Sequence, residues 1–197
     1  ILPEDIHVRS LGRSGFTLTV ADSGDRLSLF YAGTEDPSAF EQVRFADGTI
    51  WTGANLIAAG MVATSADDVL VGWGGDDQID GLAGDDEIDG GPGNDILNGG
   101  AGDDQILGGL GDDVFRFARG SGTDTIWDLG VVPGDRDLVE LGPNILPTDI
   151  TVRSLGTAAF SLAIRGSDDA LIVGFASIDD PSQVPLVRFA NGVFWNG

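Results

Sequence analysis

Residues 90–98 have the sequence Gly-Gly-Pro-Gly-Asn-Asp-Ile-Leu-Asn, a nine-residue unit that repeats in tandem between Ala66 and Arg116. The shared pattern is G-G-x-G-x-D-x-U-x, where U is a large aliphatic or aromatic residue. Complete copies start at Gly90, Gly99 and Gly108. The copies that start at Gly72 and Gly81 differ only at the second place, and a half copy covers residues 66–71. Consecutive copies with one fixed period predict a fold built from repeated coils.

The pattern itself indicates how each coil is made. Glycines at places one, two and four permit a tight turn that includes positive φ, and x-U-x is a short strand with one inward side chain. If two units form one coil of 18 residues, the inward residues stack in two facing rows. One row is then Leu70, Ile88 and Ile106, and the other is Ile79, Leu97 and Phe115. The sequence therefore predicts a parallel β-roll with a thin apolar core.

The aspartate at place six falls at the same point of every loop. Residues 66–116 contain 13 Asp and one Glu against a single Arg, and they contain neither Cys nor His. Stacked strands are separated by ~4.8 Å, and two carboxylates at about that distance repel by roughly 3–4 kcal/mol at an effective dielectric constant near 20. A cation must therefore lie between them. Carboxylate and carbonyl oxygens favour calcium over softer metals.

We predict about four to six calcium ions, each between the place-six residues of consecutive coils. The predicted carboxylate ligands are Asp68, Asp77, Asp86, Asp95, Asp104, Asp113 and, beyond a two-residue shift of register, Asp124. Weaker candidates follow at Asp128, Asp135 and Asp137. The glycines of the loops frame the sites and free carbonyls for the metal: Gly72, Gly74, Gly75, Gly81, Gly84, Gly90, Gly91, Gly93, Gly99, Gly100, Gly102, Gly108, Gly109 and Gly111. The place-five residues Asp67, Asp76, Asp85, Asp103 and Asp112 add charge but are expected to point elsewhere.

Two other interpretations of the repeats fit the sequence less well. A disordered acidic linker would not require an aliphatic residue at every ninth place. A catalytic carboxylate pair would be one pair and not a column. His7 is the only histidine and the chain has no cysteine, so neither a His-rich zinc site nor a Ser-His-Asp or Cys-His arrangement can form. We expect no enzymatic activity from this chain.

The repeats are identified as RTX repeats, the haemolysin-type calcium-binding nonapeptides. Residues 1–53 match residues 145–197 at 26 of 53 positions without a gap, so the flanks are two copies of one module. They resemble the domain found beside RTX repeats in haemolysin-type calcium-binding proteins. We predict an all-β chain: a parallel β-roll (residues 64–144) capped by small, mainly antiparallel modules (residues 1–63 and 145–197). The 144-residue offset suggests one cassette of a larger array, with neighbouring repeats of the same parent protein as partners.

Each flank is predicted to consist of strands, at 5–11, 16–20 and 26–32 in the first copy, followed by a hairpin over 41–52. The hairpin tips, Asp47-Gly48 and Asn191-Gly192, favour a type I′ turn. Trp51 and Trp195 follow as core aromatics or, alternatively, as sugar-stacking platforms. Arg44 and Arg188 are expected to form solvent-side ion pairs with a nearby Asp. Residues 54–63 predict a short helix or bent connector, and Trp73 and Trp127 are expected to be exposed.

Composition limits the partners. A net charge of −22 argues against nucleic acid and anionic membranes, and no apolar run approaches the ~18–20 residues of a membrane span. The chain opens on Ile1 with no signal-like segment, which suggests a piece of a longer protein. The resemblance implies an extracellular protein exported by type I secretion. We expect a calcium-binding structural module that folds after export, or alternatively a calcium-dependent glycan-binding module of an extracellular enzyme or adhesin.

Overall fold

A computed structural model describes residues 1–11, 15–30, 42–128, 136–156, 159–175 and 186–195 of the chain. These residues are nearly all β, and they form a parallel solenoid flanked by antiparallel strands. This confirms the predicted fold class. One weaker candidate, Asp135, and the side chain of another, Asp128, lie outside the described residues.

The first flank begins with a 3₁₀ turn, Pro3–Asp5, and continues into an antiparallel sheet of three strands. They are β1 (Ile6–Ser10), β2 (Gly15–Val20) and β3 (Arg26–Phe30). A hairpin of β4 (Val43–Arg44) and β5 (Ile50–Trp51) leads into helix α1 (Gly53–Gly60), where the sequence predicts a helix or connector. The helix carries the chain from the flank to the first coil of the roll.

The roll contains eight strands in chain order: β6 (Val69–Val71), β7 (Gln78–Asp80), β8 (Glu87–Pro92), β9 (Ile96–Asn98), β10 (Gln105–Leu110), β11 (Val114–Phe117), β12 (Thr123–Asp128) and β13 (Leu138–Leu141). Even-numbered strands pair in parallel in one sheet and odd-numbered strands in the other. The chain therefore alternates between the two sheets at every nonapeptide, as an 18-residue coil requires.

The apolar rows follow the predicted register and continue beyond it. Leu70, Ile88 and Ile106 are consecutive Cα partners in one sheet, and Ile79, Leu97 and Phe115 are consecutive partners in the other. All six side chains are at most 3% exposed. Ile126 and Val173 extend the first row, and Val139 and Val187 extend the second. The two rows form one core of large buried side chains. Burying each of them stabilises the fold by roughly 1.5–3 kcal/mol.

The second flank begins with a 3₁₀ turn, Pro147–Asp149. Its strands are β14 (Ile150–Ser154), β15 (Ala159–Ile164), β16 (Ala170–Phe175), β17 (Leu186–Arg188) and β18 (Phe194–Trp195). Each antiparallel pair has the register of its counterpart in the first flank: Ile6 pairs with Val20 and Ile150 with Ile164, while Val43 pairs with Trp51 and Val187 with Trp195. The two sequence copies therefore pair their strands alike.

The second flank is joined to the roll through both sheets. Strand β16 pairs in parallel with β12, and β17 pairs in parallel with β13, so the solenoid continues directly into the flank. Strand β3, the counterpart of β16, pairs only with β2 within the described residues. The first flank instead contacts the roll through its other edge, near β1 and α1.

Two local predictions are corrected. At the hairpin tips, Asp47 and Asn191 are not among the described residues with positive φ, which a type I′ turn would require. A three-residue loop forms instead, with Phe45 N–H donating to the Thr49 carbonyl and Gly48, at φ +93°, closing the loop. Trp73 is buried, with its ring 6.3 Å from that of Phe16. The expectation that it is exposed is wrong, because place two of its loop faces the first flank.

Structural contacts hold the flank residues Trp51, Trp195 and Arg188 in place. Trp51 and Trp195 pack edge-on against Phe45 and Phe189, at centroid distances of 4.8 and 4.7 Å, as core aromatics do. Arg188 pairs with Glu140 rather than with an Asp. Trp127 is 46% exposed, in agreement with the sequence.

Candidate metal centre

The place-six aspartates form two columns along the loops of the roll, which are half-buried at Asp68 and Asp77 and buried from Asp86 onward. In each column, the Oδ1 atom accepts the main-chain N–H of the place-six residue one coil earlier. The donor–acceptor distances are 2.7 Å for Asp68 to Asp86, 2.8 Å for Asp77 to Asp95, and 2.9 Å both for Asp86 to Asp104 and for Asp95 to Asp113. One oxygen of each carboxylate is thus used to join consecutive coils.

The second oxygen differs along the columns: Asp68 Oδ2 accepts the N–H and the hydroxyl of Thr64 at 2.7 and 2.9 Å, whereas four later residues lack such a donor. The Oδ2 atoms of Asp77, Asp86, Asp95 and Asp104 are buried and accept no hydrogen bond. An unsatisfied buried acceptor costs about 1–3 kcal/mol, and more when it is charged. Because the solenoid contains four such atoms, we expect a cation beside them.

Burial changes the acidity of the same groups. It raises the pKa of Asp86 to about 6, and the negative charge of Asp104 adds to the effect. Burial also raises the pKa of Asp77, Asp95 and Asp104 above the ordinary range of an aspartate. In the absence of metal, these carboxylates are therefore poorly tolerated in their charged form.

The place-one glycines provide the space in which the free oxygens lie. A Cβ atom on Gly81 would be 2.4 Å from Asp86 Oδ2 and 2.3 Å from the carbonyl oxygen of Gly99 in the next coil. On Gly90 it would be 2.5 Å from Asp95 Oδ2 and 2.6 Å from the Gly108 carbonyl. Gly72 has equivalent neighbours, and at Gly99 and Gly108 the nearest atom is likewise the Oδ2 atom of the place-six aspartate. A carboxylate oxygen and a carbonyl oxygen of the following coil thus approach the same point, and only glycine leaves room for them.

The other glycines of the loops set the turn. Gly75, Gly84, Gly91, Gly93, Gly100, Gly102, Gly109 and Gly111 all have positive φ, between 98° and 143°. A Cβ on Gly93, Gly102 or Gly111 would meet a backbone oxygen of the preceding coil at 2.0–2.1 Å. Gly74, in contrast, has open space around it, with the nearest atom 3.9 Å away. Close stacking of the loops therefore explains most of the glycine pattern, and the ligand role of these residues stays a prediction.

The place-five side chains point the other way along the stack. Asp67 Oδ1 accepts the N–H of Asp85 from the following coil at 3.0 Å, and Asp85 Oδ1 accepts that of Asp103 at 2.9 Å. At place five of the central repeat, Asn94 makes the same contact with Asp112 N–H at 2.9 Å. These side chains are exposed. Their role is to connect neighbouring loops, and a neutral amide performs it as well as a carboxylate.

Both columns extend past the last complete repeat. Asp124 Oδ1 accepts the N–H of Asp104 at 3.2 Å, as the two-residue shift predicts, and burial raises its pKa to about 8. In the other column Asp137 takes the next place, 24 residues after Asp113, and accepts the Asp113 N–H at 2.9 Å. The sequence ranks Asp137 only as a weaker candidate, although Asp137-Leu138-Val139 repeats the D-x-U signal of the nonapeptide.

The donor set fits calcium. Among the residues that the structure describes, no three acidic side chains converge on one point. An ion between the loops would therefore be held by carboxylate oxygens of adjacent coils together with main-chain carbonyls. Such all-oxygen shells of six to eight ligands are those that calcium takes.

Comparison with known proteins agrees with this geometry. The model of the RTX calcium-binding nonapeptide repeat matches residues 61–88, 80–115 and 89–126. The model of the haemolysin-type calcium binding protein related domain matches residues 16–55. The chain belongs to the RTX family of calcium-binding repeat proteins. It is thus a calcium-binding repeat module.

Solved structures with some likeness to this RTX chain include two bacterial examples. The AlgE6R3 subunit of a mannuronan C5-epimerase from Azotobacter vinelandii is 30% identical over 57% of this chain and 73% of that one, with a TM-score of 0.43. The extracellular lipase LipA from Serratia marcescens is 17% identical over 90% of this chain and 30% of that one, with a TM-score of 0.31. No curated protein matches the chain. No described helix is long and apolar enough to cross a membrane.

Proposed function

We propose that this RTX chain is a calcium-driven folding module that is loose in the low calcium of the cytosol and becomes a stiff β-roll in extracellular calcium. The observation that carries the proposal is the set of buried Oδ2 atoms on Asp77, Asp86, Asp95 and Asp104, which have no hydrogen-bond donor. The roll between the flanks, residues 64–144, is proposed as the part that responds.

The charges of the roll oppose folding until a cation is present. The stretch from Ala66 to Arg116 holds 14 acidic residues, and its glycines make ordering entropically costly. Burying the place-six carboxylates adds the cost of desolvation, as their raised pKa values indicate. Calcium between adjacent coils removes both the repulsion and the unsatisfied oxygens.

The expected gain is large enough to decide the state of the chain. Extracellular calcium modules bind with Kd values of ~10⁻⁴–10⁻³ M. One site at about ten times its Kd stabilises the folded state by about 1.4 kcal/mol, so about five sites contribute on the order of 7 kcal/mol. That is comparable with the whole stability of a typical domain. Export of a loose chain followed by folding outside the cell is the consequence.

We propose that the ions lie between Asp68 and Asp86, Asp77 and Asp95, Asp86 and Asp104, Asp95 and Asp113, and Asp104 and Asp124. The stacking of Asp113 on Asp137 adds a sixth position of the same kind. In this arrangement the inner carboxylates each serve two ions, so losing one of them removes more calcium than losing a terminal one.

Circular dichroism and hydrodynamic radius, measured in chelator and across a calcium titration, test the proposal. We expect an expanded, weakly structured chain in chelator and a cooperative transition to a compact β-rich state with calcium. Magnesium at the same concentration serves as a control for ionic strength, because its strict octahedral geometry suits these loops poorly. A chain that is already compact and β-rich in chelator would contradict the proposal.

One observation favours a second candidate function, calcium-dependent binding of a neutral glycan. Trp127 stands 46% exposed beside a shallow cavity of about 400 Å³ that is also lined by Glu87, Asp89 and Gln105. An aromatic ring with neighbouring polar side chains suits a sugar ring, whereas two acidic neighbours disfavour a polyanion. Glycan-array binding in calcium, compared with that of Trp127→Ala, tests this candidate. Loss of a glycan signal in the variant would support it.

A further inference from the structure

The two flanks have the same sequence pattern and strand pairing but different neighbours. In the second flank, Ile145 and Leu171 are 0% and 1% exposed, because the last coil of the roll covers them. Their counterparts in the first flank, Ile1 and Leu27, are 65% and 54% exposed. Together with Ile6, Leu18 and Val43 they line an open apolar cavity of about 430 Å³. We call this surface the open face of the first flank.

The polar groups around the open face correspond to residues that contact the roll in the second flank. Asp169 accepts the N–H groups of Gly120 and Gly122 at 3.1 and 3.2 Å, and its counterpart Asp25 lies on the open face. Arg188 pairs with Glu140 of the last coil. Its counterpart Arg44 makes no ion pair within the described residues. The open face therefore carries an acceptor and a cation at the places where a roll presents glycine N–H groups and a carboxylate.

The opposite edge of each flank shows the complementary difference. In the first flank, Ser10 on β1 is 3% exposed because α1 and the first coil lie against it. In the second flank, the counterpart of Ser10, Ser154, is exposed, and Val152 and Leu155 on the same edge are 55% and 52% exposed. Each flank thus has one edge occupied by this roll, and the occupied edge differs between the two copies.

We propose that the flank module is a two-sided connector and that the open face of the first flank receives the last coil of another nonapeptide roll. That roll would be linked ahead of Ile1 as residues 54–144 are linked ahead of Ile145. A second copy of this chain cannot supply the coil, because its own second flank already covers it. In this arrangement, β3 pairs in parallel with a strand of the incoming roll. Ser28 then lies opposite the residue equivalent to Thr125, just as Ile172 lies opposite Thr125 in the second flank.

One side chain sets a requirement on the incoming strand. Trp127 lies over Gly174 in the second flank, within 2.6 Å of where a Cβ would be. Phe30 occupies the place of Gly174 in the first flank and is 69% exposed. The incoming coil must therefore carry a small residue opposite Phe30, or Phe30 must be replaced when the coil carries a tryptophan.

The test uses the full chain with a copy of residues 54–144 added directly before Ile1 and with Phe30→Gly. Cysteines are introduced as Ser28→Cys and, in the added segment, Thr125→Cys; the chain has no other cysteine. In calcium, a short thiol cross-linker should join the two positions within one chain. The pair Thr125→Cys and Ile172→Cys in the original roll, which are Cα partners, is the positive control.

Leu27→Asp should abolish this cross-link and return bound calcium per chain to the value of the unextended protein. The unextended chain with Leu27→Asp is the folding control, since that side chain is exposed. The inference would be overturned by failure of the cross-link when the control pair reacts, by a cross-link that survives Leu27→Asp, or by cross-links only between separate chains. The last result would show that the face serves assembly between molecules.

Discussion

Places five and six of the nonapeptide are adjacent in sequence but differ in almost every physical respect. At place six, Asp104 is 1% exposed and its Oδ2 atom has no hydrogen-bond donor. At place five, Asp103 is exposed and its Oδ1 atom accepts the Thr123 N–H at 2.8 Å. The two side chains also bond in opposite directions along the stack, place six to the preceding coil and place five to the following one.

This difference shows that acidity alone does not define the site. Both places contribute charge, but only place six combines burial with an oxygen that accepts no hydrogen bond and lies beside a place-one glycine. Place five already contains one neutral residue, Asn94, whose contact with Asp112 N–H is unchanged. We therefore propose calcium coordination for place six and loop stacking for place five.

The largest expected effect separates the two places within one loop. Asp104→Asn removes a carboxylate that we place between two ions, whereas Asp103→Asn keeps the hydrogen-bond acceptor at an exposed position. Because a charged contact contributes about 1.5–3 kcal/mol, we expect Asp104→Asn to weaken calcium binding by roughly 10- to 100-fold. Isothermal titration calorimetry of both variants measures the affinity and the number of ions. Equal losses of calcium affinity in the two variants would contradict the proposed difference between places five and six.

A second prediction concerns the place-one glycines, which leave room for the Oδ2 atoms. Gly81→Ala places a Cβ against both Asp86 Oδ2 and the Gly99 carbonyl, so the coils must move apart. We expect a loss of about 1–3 kcal/mol in the free energy of unfolding with calcium bound. Gly74→Ala is the matched control, since its Cβ would meet no atom closer than 3.9 Å. Chemical denaturation in calcium compares them, and a Gly81→Ala variant as stable as Gly74→Ala would remove the steric argument.

The third prediction follows from the raised pKa values of Asp86, about 6, and Asp124, about 8. A carboxyl whose folded pKa is raised favours folding below its ordinary pKa and loses that contribution as pH rises through the folded value. In chelator, residual structure should therefore decline between about pH 4 and 8, while calcium affinity should rise over the same range as protons leave.

The pH dependence also distinguishes individual residues. Asp124→Asn should remove the part of the affinity change between about pH 6 and 8, and Asp103→Asn should retain it, since burial raises the pKa of Asp124 to about 8. Calcium titrations at several pH values, followed by circular dichroism, provide the measurement. An affinity in the unsubstituted chain that is independent of pH over this interval would contradict the raised pKa of Asp124.

The smallest effect is expected at Asn94. Asn94→Asp restores the usual residue of place five and keeps both hydrogen bonds, from Asn94 N–H to Asp76 and from Asp112 N–H to residue 94. We expect calcium affinity to change by less than about fivefold, since an exposed charge contributes less than about 1 kcal/mol. A tenfold gain measured by calorimetry would show that place five coordinates the ion.

The sequence predicts the roll well because its period fixes register. Two nine-residue units form one coil, which places Leu97 over Ile79. The same interval of 18 residues places Asp95 over Asp77. The shift before Asp124 is readable because Ile126 restores the inward residue over Ile106. Such predictions need only local turns and strand spacing.

The remaining features depend on contacts that the repeat does not encode. The burial of Trp73 comes from Phe16, which is distant in sequence. Asp137 lies 24 residues after Asp113 with no complete nonapeptide between them, so only the D-x-U signal marks it. The two flanks have similar sequences, and their different neighbours arise from the order of flank and roll along the chain.

Anomalous X-ray scattering from crystals grown in calcium tests the central assignment most directly. We predict calcium peaks in the loops beside the Oδ2 atoms of Asp77, Asp86, Asp95 and Asp104, with main-chain carbonyls completing each shell at 2.3–2.6 Å, about the usual calcium–oxygen distance. Peaks located instead at the exposed place-five carboxylates, or loops that contain no calcium peak at saturating concentration, would contradict it.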